Sequence, residues 1–161
     1  MKWRKWLDKW DMTSLKMNPE FLDMEWDPAE GDKAAAWDLY IELLTRNPIQ
    51  YLQPDEGHEK EALESIHEIF GLVRENIKSY EQPCTELTKI SIVVLNQIVR
   101  PFTTKWYREI LAGGFQYIHK QREFTDELAA LQKKMRIFTQ MLADMADVED
   151  LTRIEEISDR N

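Results

Sequence analysis

Phe124, Leu128, Leu131, Met135, Phe138, Leu142 and Met145 recur at alternating spacings of four and three residues. An apolar repeat with that rhythm draws one greasy seam down one side of a helix, and the seam needs an apolar surface against it. Leu63, Ile66, Phe70, Val73, Ile77 and Tyr80 keep the same rhythm earlier in the chain. Two long helices with matching seams specify a helical bundle. They carry no information about chemistry.

The totals agree with an all-α fold. A chain of 161 residues fits one domain, and a domain of that size buries roughly 70% of its unfolded surface without needing a metal or disulfide staple. Five glycines and six prolines leave little room for the many tight turns of an all-β fold. A single cysteine excludes an internal disulfide and suits a reducing compartment. The net charge of −9 argues against general nucleic-acid binding, because phosphate contacts need a basic field. The longest nearly apolar stretch, 90–99, is interrupted by Ser91, Asn96 and Gln97 and is too short to cross a bilayer. Asp8 and Asp11 break what would be the apolar part of a secretory leader. The expected location is the cytoplasm.

Read along the chain, the pattern predicts a single helical domain over 1–161. An aromatic and basic, then acidic, segment covers 1–27; a four-helix antiparallel bundle covers 28–150; a polar tail covers 151–161. Residues 2–10 read as a short amphipathic helix with Trp3, Trp6, Leu7 and Trp10 on one face. Asp27 and Pro28 suit a helix start, and that helix runs to about Arg46 with Ala36, Trp37, Tyr40, Ile41 and Leu44 inward. Asn47 and Pro48 end that helix, and a linker with Pro54 and Gly57 leads to a helix over about 58–80. The next begins near Cys84 and is apolar on almost every side through Ile90–Val99, as a central helix would be. Gly113 and Gly114 stop it. Pro101 either kinks it or divides it in two. The last helix runs from about Arg122 to Val148, with Ala130, Ile137, Met141 and Val148 forming a second stripe.

Three constellations are candidates for function. Trp3, Trp6 and Trp10, interleaved with lysines, suit docking on a protein partner, since tryptophan is enriched in interface hot spots. The same helix could lie on an anionic membrane, or simply pack on its own bundle. Arg100, Lys105, Trp106, Arg108, His119 and Lys120 place bases beside flat rings, a combination that suits an anionic small ligand or nucleotide. The plainer alternative pairs those bases with the acidic 20–32 segment while the rings finish the core. Glu64 and His67 match a Glu-x-x-His pair, half of a bundle metal site, with Glu42, Glu86 and Glu123 as conceivable further ligands. Cys84 lacks a nearby histidine base, so no nucleophilic pair is formed in sequence.

No catalytic signature accompanies these features, and no cofactor is expected. The function expected first is therefore that of a non-enzymatic adaptor, subunit or regulator working through protein contacts, with a second copy of the chain a further candidate partner. A ligand-binding helical sensor and a metal-dependent bundle enzyme are the alternatives.

Overall fold

A computed structural model describes residues 1–46 and 58–155. The expected stop at Asn47 and Pro48, the linker with Pro54 and Gly57, and the last six residues of the tail lie outside the described residues. The described residues are mostly helical: α1 (Trp3–Lys9), α2 (Pro19–Leu22), α3 (Glu30–Leu44), α4 (Glu59–Lys78), α5 (Thr85–Val94), α6 (Arg100–Leu111) and α7 (Ile118–Ala146). A π-helical turn, Leu95–Val99, joins α5 to α6, and a short 3₁₀ turn, Gly114–Gln116, precedes α7. Among the described residues the one β-type contact is an isolated bridge between Lys2 and Glu25.

The long seam on α7 is buried at all seven positions, from Phe124 to Met145. At about 1.5 Å per residue this helix is about 44 Å long, and its most extensive packing is against α3. On α4, Leu63, Ile66, Phe70 and Val73 are buried and Ile77 is partly covered, as is Tyr80 two residues past the helix end. Both seams thus close within one chain, and their side chains share one apolar core.

Several expectations need correction. The inward face of α3 is rotated: Ala35, Ala36, Leu39, Tyr40 and Leu43 are buried, whereas Trp37 and Ile41 lie outside. Of the three alanines, Ala35 and Ala36 lie on the buried face and Ala34 is exposed. The helix after Cys84 is not central, since Ile92 is 53% exposed. The second stripe on α7 is only partly covered: Met141 is buried, but Ala130 and Val148 are exposed. Nor is the tail free from residue 151 onward. Leu151 packs on the core and donates its backbone N–H to the Tyr40 hydroxyl.

Pro101 lies in one continuous rod. The backbone is right-handed helical at Val94, Leu95, Val99 and Arg100. Proline offers no N–H, and its ring would crowd the carbonyl of Gln97 one turn earlier. The wider π turn, which includes Gln97, absorbs that conflict. Gln97 then turns its amide outward and forms a two-bond clasp with the backbone of Lys16, accepting its N–H and donating to its carbonyl, each at 2.7 Å.

The start of α3 is two residues later than Asp27 suggests. Ala29 is the N-cap and has no side-chain oxygen, so Asp32 reaches back to accept the Ala29 N–H at 2.9 Å. Gly31 permits close approach here: a Cβ would stand 3.1 Å from the carbonyl oxygen of Pro83.

Candidate functional site

The N-terminal tryptophans are placed by a short intramolecular ribbon. Trp3 donates its backbone N–H to Met24, and Trp26 donates to Met1. This folds the acidic segment over α1, with the terminal amine 3.3 Å from Glu25 and Arg4 3.3 Å from Asp23. Trp3 and Trp6 consequently have 0% exposure. Trp6 stacks on Trp26 at 4.7 Å, and Trp3 meets Phe21 at the same separation. The indole N–H of Trp3 goes to Glu86 on α5, and those of Trp6 and Trp10 go to one oxygen of Asp144 on α7. The surface role expected for Trp3 and Trp6 is therefore corrected: both rings fasten α1 to the bundle, and neither is available to a partner. Trp10 is half-buried in the same arrangement.

Burial pushes the Asp144 carboxyl up, but the two indole donors and Lys9, 3.1 Å away, outweigh it and hold its pKa below the ordinary aspartate value. A carboxylate that accepts three donors from one short helix is a docking device for that helix.

The basic and aromatic region around residues 100–122 divides among three places. Trp106 is buried and donates its indole N–H to Glu127 on α7 at 2.7 Å. Lys105 bridges Glu123 and Glu127, and Lys120 bridges Glu109 and Glu123. Hydrogen bonds to Glu123, then Glu127, raise the Lys105 pKa. Hydrogen bonds from Lys105 and Lys120 hold the Glu123 carboxyl low. The bases thus pair within the α6–α7 hairpin, not with the acidic 20–32 segment, because the antiparallel helices bring Glu109, Glu123 and Glu127 into reach. Lys105, Trp106 and Lys120 are occupied by these contacts.

Arg100 faces elsewhere. Its guanidinium lies 4.8 Å over the Phe70 ring, and its Nε donates to Asn96 Oδ1 at 3.2 Å. It borders an open groove of about 600 Å³ between α4 and α6, which Arg46, His67, Gly71, Arg74 and Tyr107 also line. The His67 and Tyr107 rings meet at right angles with centroids 5.6 Å apart. Glu64 and His67 lie one turn apart on α4, both exposed. Among the described residues no group of three potential ligands assembles, since Glu42, Glu86 and Glu123 are separately engaged by Arg46, by Trp3 and Lys89, and by Lys105 and Lys120.

Arg108 and His119 lie at the corner between α6 and α7. Gly113, at φ 71°, caps α6 in the left-handed conformation, and the chain reverses within a few residues. Three apolar side chains are left outside there: Leu111 at 90% exposure, Tyr117 at 57% and Ile118 at 58%. Arg108, His119 and Arg122 are exposed beside them, with the His119 ring 5.8 Å from that of Tyr117.

Comparison of the chain with protein-family models, curated proteins and solved structures found no match.

Leu111, Arg46 and Arg74 are not singled out by sequence. Leu111 looks like one more apolar residue in a helical run, and its exposure follows from the position of the glycine stop. The signal for the groove is Gly71, a glycine in the middle of a helix, where glycine costs about 1 kcal/mol relative to alanine.

Proposed function

We propose that this chain is a non-enzymatic, cytoplasmic interaction protein whose contact surface is the α6–α7 corner. The observation that carries this reading is the near-complete exposure of Leu111 beside Tyr117 and Ile118, on a chain whose long apolar seams are otherwise filled. A clustered apolar tip is the kind of feature that marks a partner site, while single exposed apolar residues are ordinary. The rim supports a choice of partner. Arg108 and Arg122 are exposed and make no ion pair among the described residues, although the chain as a whole carries −9. A protein segment with apolar anchors and acidic flanks complements that tip.

The test is affinity capture from the native host with wild type and the Leu111→Glu/Ile118→Glu double variant. Both positions are exposed, so helical circular dichroism and the melting temperature stay close to wild type. Loss of the captured partner from the folded variant is expected. An unchanged set of captured proteins removes the corner from consideration.

A further inference from the structure

Three features meet in the groove between α4 and α6 that the packing of the two helices does not require. The first is Gly71. It sits mid-way along α4, and a Cβ there would meet nothing within 4 Å, so no close approach of a neighbour calls for glycine. Its effect is to leave the groove open. The second is the π turn before Arg100, which accommodates Pro101 and in doing so sets the direction of the next turn. Such turns add a residue to the helix and re-aim the side chains of the next turn, and they concentrate at functional sites. Here Asn96 within the π turn holds Nε of Arg100, and the Phe70 face supports the guanidinium. The outer N–H groups of that fork have no protein partner among the described residues. The third is the convergence of like charge on an acidic chain: Arg46, Arg74 and Arg100 line one groove. Arg46 is bound by Glu42, while Arg74 has no partner among the described residues.

The remaining lining narrows the ligand. Glu68 and Glu75 face the same groove and Glu42 holds Arg46, so the available positive charge is confined to Arg74 and Arg100 and suits one compact anion better than a polyanion. His67 and Tyr107, packed edge to face on each other, put aromatic surface at one end. A volume of about 600 Å³ falls within the range of small-molecule sites.

We propose that this groove binds a ring-bearing phosphate of nucleoside monophosphate size, with the phosphate on Arg74 and Arg100 and the ring against His67 and Tyr107. Guanidinium forks match phosphate oxygens in pairs, and the ring contact adds area without needing a glycine-rich cradle.

The test is an amide NMR titration of the full chain with adenosine monophosphate, adenosine and inorganic phosphate. Adenosine monophosphate is expected to shift the Gly71 and Arg100 amides with a dissociation constant of about 1 mM or tighter. Arg74→Gln and Arg100→Gln should each weaken binding about tenfold, the loss expected for one charge-assisted contact. Gly71→Leu should block it, and Lys133→Gln, on an exposed position of α7 outside the groove, should leave it unchanged. Arg74 is exposed, so its variant reports on binding even if Arg100→Gln loosens the fold. The proposal is overturned by no shift at about 10 mM ligand, by shifts confined to other residues, or by wild-type binding in both arginine variants. Equal binding of adenosine or of inorganic phosphate overturns it too, because ring and anion would then not act together.

Discussion

Asp32 Oδ1 accepts the backbone N–H of Leu87 at 3.0 Å, although 55 residues separate them. Its other oxygen accepts the N–H of Ala29 at 2.9 Å. One buried carboxylate therefore caps the first turn of α3 and the first turn of α5 together. The four leading N–H groups of a helix have no partner inside it, and their positive end favours a carboxylate. The contact fixes where the two helices begin relative to each other, and Gly31 supplies the room.

Asp32→Ala should accordingly be among the most damaging single substitutions here. It removes two caps and leaves two amides unpaired, a loss of about 2–4 kcal/mol. Asp32→Asn keeps one acceptor but turns an amide donor toward the other N–H, so it should recover at most about half of that. Urea unfolding followed by circular dichroism measures both. An alanine variant within about 0.5 kcal/mol of wild type would show that the double cap contributes little.

Asp144 makes stability depend on acid. Its pKa is held below the ordinary aspartate value in the folded protein. The stabilisation is thus present above the unfolded-state pKa, near 3.8, and is lost as pH falls through the lower folded value. Asp144→Asn should be less stable than wild type at pH 7, and the gap should close below about pH 4. Urea midpoints from tryptophan fluorescence at pH 7, 5 and 3 read the gap directly. A gap of constant size across that range counts against the indole–carboxylate contacts as its source.

Gly71→Ala should stabilise the protein. The new methyl meets open space, and alanine in a helix interior is better than glycine by about 0.5–1 kcal/mol. In a chain of this size that is a rise of about 1–4 °C in melting temperature. Differential scanning calorimetry decides it. A fall instead of a rise would mean that the groove is closed in solution.

The seams show why the fold is legible. Phe124 to Met145 are spaced by local helix geometry alone, and their burial needs only some apolar neighbour. The glycine stop at Gly113 is equally local, since only its own backbone has to turn left-handed. The α3 face is misread from sequence because Trp37 is more apolar than Ala35, yet the smaller residue is the one buried. Hydrophobicity ranks residues, but the separation of two helices selects among them.

The candidate sites are less legible for a related reason. Trp3 and Trp6 have the composition of an interface, and burial by Trp26 and Phe21 turns them into core. Lys105 and Lys120 have the composition of an anion site, and Glu123 takes both. A charge in sequence is free until the fold assigns it a partner.

The order of residues alone determined that this protein is helical and where its long rods carry their apolar seams, because helix periodicity and glycine stops act over a few residues. Tertiary structure alone decided that three tryptophans are fasteners, that Asp32 joins two helix starts, and that Leu111 and Arg74 stand open to solvent. Those outcomes depend on which surfaces meet across the bundle, and contacts between distant residues leave no periodic trace in a single sequence.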